Sequence, residues 1–299
     1  MAFDLTGLST YTDELSFDLI SKAVLTTELM ENINVRTGLS AGTVAINLME
    51  GDLNVSDRSC GFTPSGDIDF TQVDITIVDK QIKMTACPTD LREYYLSQRM
   101  SPSAVAGGEE VPFEEVIADY YIKRIKNYNE GFLINGDGVV DGIKAQITVG
   151  NGANLQGGTP AAWTPSTAVE QALDLYDAIG DAVIDRDDLI MVMSPANYRT
   201  LTRGLVAANL FHYQAVEGNE ALFLPGTNVK LVKSSGLVGS DYVCAGPAEF
   251  IVAGTGLTDD MSSFAMMYDP YEDIVKIRAY WRLGVAVHQI DQFATNGLA

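Results

Sequence analysis

Ile274–His288 reads IVKIRAYWRLGVAVH, and its alternation decides the fold. Val275, Ile277, Ala279, Trp281, Leu283, Val285 and Val287 are apolar. Between them stand Lys276, Arg278, Tyr280, Arg282, Gly284, Ala286 and His288. A period of two sends successive side chains to opposite sides of a strand, and here it holds for about fifteen residues. That predicts a strand far longer than the usual five or six or so, with one buried face and one basic face.

Two further segments give the chain its shape. GTVAINLMEGDLNV (42–55) is strand-like, and the turn formers SDRSCGFTPSGD (56–67) follow it. DFTQVDITIVDKQIKMTA (69–86) then sets Val73, Ile75 and Ile77 against Asp74, Thr76 and Val78. The pair predicts a two-stranded ribbon. Arms of ~13 residues reach ~40 Å, whereas a compact chain of this length has a radius of gyration of ~19 Å. The ribbon is therefore expected to project. A lone ribbon is marginal in water, so a neighbouring subunit is expected to cover it.

The second segment is a helix over 112–134. Pro112, Glu114 and Glu115 suit its first turn. Ile117, Tyr121, Ile125, Tyr128 and Phe132 form an apolar stripe. Glu115, Asp119, Lys123, Lys126 and Glu130 fall on the opposite side. Asn135-Gly136-Asp137-Gly138 stops the helix. Before the ribbon, residues 1–40 read as an arm with one helical piece, Asp13–Asn32, carrying Leu15, Leu19, Ile20, Val24, Leu25 and Leu29. Residues 140–262 read as an α+β lobe. Its expected helices are Thr167–Ala182 and Pro195–Ala208, the second capped by Ser194. Its expected strands are Leu189–Met193, Val229–Val232, Tyr242–Ala245 and Phe250–Ala253.

Composition narrows the function. The 299 residues are 46% hydrophobic and 20% charged, which argues against disorder. No run approaches the ~20 apolar residues of a membrane span, and the N-terminus lacks a signal-peptide pattern. A net charge of −21 repels nucleic acid, so direct binding of a polyanion is not expected. It is compatible with a container whose contents do not stick to its wall. Cys60, Cys87 and Cys244 lie far apart, without the spacing of a zinc site or disulfide framework. No cofactor is implied: Gly150-Asn151-Gly152 and Gly157-Gly158 lack the phosphate-binding patterns. Asn135–Gly138 and Asp185-Arg186-Asp187-Asp188 do not fit a calcium loop; they read as a helix stop and a turn. Cys87 and His288 could be named as nucleophile and base of a cysteine hydrolase, but nothing local marks an orienting acid. His212 reads as a loop or contact residue.

These pieces, in this order, resemble the major capsid protein of tailed bacteriophages, the Hong Kong ninety-seven fold. The resemblance spans nearly the whole chain. It rests on the ribbon, the helix PFEEVIADYYIKRIKNYNEGFLINGDG (112–138) with Asp141-Gly142-Ile143 after it, and the strand DPYEDIVKIRAYWRLGVAVHQIDQFA (269–294). It implies an α+β fold with an N-terminal arm (1–40), an extended loop (41–86), a peripheral lobe with the spine helix (87–139 and 263–299) and an axial lobe (140–262). It also implies self-assembly into hexamers and pentamers of an icosahedral shell around double-stranded DNA. The virion capsid would be assembled in the host cytoplasm, with portal and decoration proteins as further partners. No charged scaffolding segment precedes the arm, which implies a separate scaffold protein. The loop between Glu50 and Asp79 contains no lysine, so covalent crosslinking is not expected. An encapsulin-type compartment, with the same fold and a protein cargo, is the near alternative.

Charge offers a docking scheme. Asp67, Asp69, Asp74 and Asp79 line the ribbon, while Lys123, Lys126, Arg278 and Arg282 lie on the body. The ribbon of one subunit is expected to meet the body of the next. The plainer reading of Lys276, Arg278 and Arg282 is pairing with carboxylates inside one subunit or across a contact.

Overall fold

The computed structural model describes residues 24–25, 27–52, 67–88, 90, 93, 113–158, 160–208, 222–256 and 263–298. In chain order its strands are β1 (Asn34–Arg36), β2 (Gly42–Asp52), β3 (Asp67–Ala86), β4 (Asn154–Leu155), β5 (Leu189–Met193) and β6 (Lys230–Lys233). They continue as β7 (Cys244–Pro247), β8 (Ile251–Thr255), β9 (Ser263–Asp269), β10 (Ile274–Val287) and β11 (Ala294–Thr295). The helices are α1 (Phe113–Asn135), α2 (Ile143–Gln146), α3 (Ala168–Asp177) and α4 (Pro195–Ala207). Most of the expected helix Asp13–Asn32 lies outside the described residues. Within it, Val24 and Leu25 are helical and Met30–Asn32 is a 3-10 turn. Among the described residues, no helix is long and apolar enough to cross a membrane.

The strands form two sheets. The first runs β1-β8-β10-β3-β2, with β9 also on β10; the second runs β4-β11-β7-β5-β6. The quoted alternation becomes β10, fourteen residues long, and its two edges explain its length. One edge pairs with β3 from Val275 to Leu283. The other pairs with β9 from Ile274 to Tyr280 and then with β8 from Leu283 to Val287. Every odd position from Val275 to Val287 is at most 4% exposed. The even positions alternate only as far as Tyr280. Arg282, Gly284 and Ala286 are buried too, so the expected basic face covers half the strand. The cause is the start of the ribbon, which lies over that half.

The division between sheets does not follow the division of the sequence at residue 262. β8 belongs to the first sheet, and β11 returns to the second. One continuous core runs through both, from Ile122 and Trp281 to Val192 and Phe293.

The helix α1 packs on the odd face of β10. Ala118, Ile122, Ile125, Phe132 and Leu133 are buried. Trp281 donates its indole N–H to Asn129 Oδ1 at 2.9 Å, and its ring meets Tyr128 edge-on. Two expectations fail here. Tyr128 is 48% exposed because its ring stands against Trp281 without being covered. Glu130 is buried, because the 3-10 turn Ser235–Leu237 packs on that side of the helix; its carboxylate accepts from the Ser235 amide and hydroxyl.

The stop after α1 is built as expected. Gly136 has a φ of +73°, and a Cβ there would meet the Val140 carbonyl oxygen at 2.1 Å. Asp137 Oδ1 accepts from the amides of Val139 and Val140 at 3.0 and 2.9 Å, while Oδ2 binds Lys80 of β3. Lys80 also sits over the Phe132 ring. The Lys80 hydrogen bond and the Val140 amide hold the Asp137 carboxyl at about 2, below its ordinary 3.8. A lowered folded-state value stabilises above the ordinary value and is lost as the pH falls through about 2. The melting temperature of the wild-type chain is therefore expected to fall more steeply between about pH 4 and pH 2 than that of Asp137→Asn. Parallel curves in thermal melts would contradict the linkage.

Candidate assembly surfaces

The ribbon is β2 and β3, paired from Gly42↔Ile77 to Asp52↔Asp67. It has two parts. At its root, Ile46, Ile75 and Ile77 are buried against Val252 and Ala286, with Leu39 and Val44 alongside. β3 then continues to Ala86 along β10. Beyond the root, β3 from Asp67 to Asp74 has only β2 as a strand partner among the described residues. There Thr71, Gln72 and Asp74 are exposed, and Phe70 is 74% exposed. The expectation that the ribbon is unsupported by its own chain thus fails for the root, while Phe70, Thr71, Gln72 and Asp74 farther out are exposed. The pattern alone could not separate the two parts, since the alternation Val73, Ile75, Ile77 says which side is apolar but not what covers it.

The root rests on two glycines that face each other, Gly254 of β8 and Gly284 of β10. A Cβ on Gly284 would lie 2.3 Å from the Thr76 carbonyl oxygen, and one on Gly254 would lie 2.9 Å from Ile75 Cδ1. These two positions were missed from sequence. A glycine inside a strand signals close backbone approach, and Gly284 carried that signal.

The charged residues divide differently from the expected scheme. Arg282 Nε bonds Asp79 Oδ1 at 2.7 Å within one chain, so these two form an internal pair. The plainer reading is correct for Arg282, because Asp79 lies directly opposite it in the β3–β10 register. Lys276 likewise meets Asp269 at 2.7 Å and Glu272 at 2.9 Å. Arg278 is exposed and has no such partner among the described residues. Lys123 and Lys126 sit on α1, which covers the odd face of β10, whereas Arg278 occupies an even position. The four cations therefore do not make one patch. Asp74 is exposed on β3, and Asp67 and Asp69 stand near the ribbon's far end by register.

On the α1 side, an aromatic cleft of about 460 Å³ opens between helix and sheet, lined by Tyr120, Tyr121, Arg124, Tyr128, Met84 and Trp281. Burial raises the Tyr121 hydroxyl above its ordinary value. Arg124 lies over the Tyr120 ring.

The other candidates resolve simply. Cys87 is exposed beyond the Val275 end of β10, and buried His288 follows the opposite end. The strand between them spans ~40 Å, so they cannot act as nucleophile and base. His288 instead packs its ring on Phe250 at 4.8 Å. Cys244 is fully enclosed, and burial pushes its thiol up to about 12. In 185–188, Arg186 grips Asp188 through both oxygens at 2.7 and 3.0 Å and also bonds Glu249, which makes the turn an ion-pair cluster. Cys60 and His212 lie outside the described residues.

No protein-family model matches the sequence, and no curated protein matches it. Solved structures do match in fold. A chain from the capsid of a native GTA particle is 17% identical, with a TM-score of 0.56, covering 92% of this chain and 89% of that one. A chain from the satellite phage P4 procapsid with its size determination protein is 10% identical, with a TM-score of 0.57, covering 93% and 89%. A virus-like particle from Pyrococcus furiosus is 10% identical, with a TM-score of 0.53, covering 95% and 98%. The chain thus shares its fold with these capsid chains over about nine-tenths of its length.

Proposed function

We propose that the chain is a major capsid protein that assembles, through hexamers and pentamers, into the icosahedral shell of a tailed phage. The observation that carries this reading is the likeness to capsid chains along nine-tenths of both lengths. The outer ribbon supports it, since its exposed residues gain cover only from another molecule. The charge of −21 supports an inner wall that does not hold double-stranded DNA fast. On this reading the arm, extended loop, spine helix and two lobes take the places expected from sequence. On this reading scaffold, portal and decoration proteins are its further partners.

Many modest contacts repeated by symmetry drive the assembly, and no chemistry is required. Electron microscopy and sedimentation of the concentrated full-length chain are expected to show closed particles or rings of five and six copies. A species of about 32 kDa at every concentration, both alone and co-expressed with a scaffold protein, would contradict the reading. The likeness to the Pyrococcus furiosus particle favours a second reading, an encapsulin-type compartment. Opening the particles made in the native source and treating them with nuclease separates the two: packaged DNA supports the phage shell, and an enclosed protein supports the compartment.

A further inference from the structure

Within α1, the stretch from Tyr120 to Tyr128 reads YYIKRIKNY. It sets Lys123, Arg124 and Lys126 in one turn of helix, in a chain whose net charge is −21. The helical period sorts these residues by face. Ala118, Ile122, Ile125 and Asn129 are buried on the side that meets β10. Tyr120, Lys123, Arg124, Asn127 and Tyr128 are exposed on the opposite side, and Lys126 is half-buried at the margin. The exposed strip runs ~12 Å along the helix at 1.5 Å per residue.

Each exposed side chain of the strip can donate a hydrogen bond, and none is acidic. Between Ala118 and Tyr128 the one carboxylate is Asp119, which is half-buried and already engaged. Among the described residues, no carboxylate pairs with Lys123, Arg124 or Lys126. Cations elsewhere are neutralised within the chain: Lys80 by Asp137, Arg186 by Asp188 and Glu249, Lys276 by Asp269, and Arg282 by Asp79. The Arg124 guanidinium instead lies over the Tyr120 ring at 5.1 Å. Tyr120, Arg124 and Tyr128 also border the aromatic cleft, whereas Lys123 and Asn127 stand outside it.

We infer that this strip of α1 is a contact for the phosphate backbone of double-stranded DNA. Lysine, arginine, asparagine and tyrosine are side chains that bind phosphate oxygens. A duplex carries one negative charge per ~1.7 Å, so the strip faces about seven of them. DNA is favoured over an acidic protein segment because the cations follow one another along the convex side of a helix. A polymer of uniform charge can lie there, while no pocket desolvates the anchor that a protein contact needs. The net charge weakens this contact without forbidding it. At 0.15 M salt, charges beyond ~8 Å are largely screened, and the nearest cations govern. No base is read, so the contact is independent of sequence. The inference rests on the shell reading and deepens it: α1 then lines the inner wall. The absence of polyanion binding expected from net charge is reversed at this one strip.

The test uses the full chain, dye-labelled at its N-terminus and held dilute so that it stays unassembled. It is titrated by thermophoresis with a mixed-sequence duplex of about 20 base pairs, at salt from about 20 to 200 mM. At the low-salt end the Kd is expected within about 10⁻⁴–10⁻⁶ M, and log K is expected to fall against log salt with a slope of about −3. Lys123→Gln with Arg124→Gln is expected to weaken binding at least about tenfold and to make the slope shallower by about 2. Arg199→Gln with Arg203→Gln removes the same charge from exposed sites on α4 and is expected to stay within about twofold of wild type. Lys123→Arg with Arg124→Lys keeps the charge and is expected to bind as wild type does. Melting temperatures check that each variant is folded. No binding at about 20 mM salt, equal losses in the α1 and α4 pairs, or displacement of the duplex by poly-glutamate at equal charge concentration would overturn the DNA contact. Shell formation is scored separately on the same preparation. Particles from a chain that does not bind the duplex sink the strip and leave the shell reading standing. Duplex binding by a chain that never assembles does the reverse.

Discussion

Trp281→Ala is expected to lower the free energy of unfolding by about 3–5 kcal/mol. Trp281 is 2% exposed and lies where β10 and α1 meet. Its removal leaves a cavity that the paired strands on either side cannot close by shifting. It also strips the fully buried Asn129 of its indole partner, and Asn129 Nδ2 already lacks one. Trp281→Phe retains most of the packing but loses that hydrogen bond, so a loss of about 1–3 kcal/mol is expected. Urea unfolding of the full chain measures both. A loss below about 1 kcal/mol for the alanine variant would show that α1 is not anchored through this residue.

Gly284→Val is expected to act on the ribbon first. The new Cβ would stand 2.3 Å from the Thr76 carbonyl oxygen and 3.1 Å from Ile77 Cα, both backbone atoms that cannot swing aside. Overpacking of this kind costs about 1–3 kcal/mol. Because the collision is with the ribbon root, the strain is relieved most simply by lifting the ribbon off Val252 and Ala286. Hydrogen exchange is expected to quicken in Val44–Ile46 and Val73–Ile77, with the second sheet unchanged. Assembly is expected to stop, since the outer ribbon would no longer leave the body in a fixed direction. Normal shells from Gly284→Val, with unchanged exchange at Ile75 and Ile77, would contradict this role for the glycine seat.

The sequence made the long elements legible because each imposes a period on many residues. The odd positions of β10 are all buried as the alternation required. Ser194 caps α4 by accepting the Asn197 amide, as its place before Pro195 suggested. β9 was not foreseen. Ser263–Asp269 reads SFAMMYD, without a valine, isoleucine or threonine to signal a strand, and it is ordered by pairing along β10. Glu130 was assigned to solvent because helical spacing shows one buried stripe, whereas Ser235–Leu237 covers a second side from more than a hundred residues away. The charged residues were least legible. Which carboxylate serves Arg282 or Lys276 depends on strand register, and composition does not fix register. Lys83 was not singled out, because Arg278 faces it only once β3 and β10 are aligned.

The central claim is that the outer ribbon finds its cover on another copy of the chain. The most direct measurement is an electron-microscopy reconstruction of assembled particles at a resolution that traces β2 and β3. The account predicts the outer ribbon, within Gly42–Asp52 and Asp67–Ile77, lying across an adjacent subunit. Particles in which those residues touch only their own chain, or remain in solvent, would contradict it.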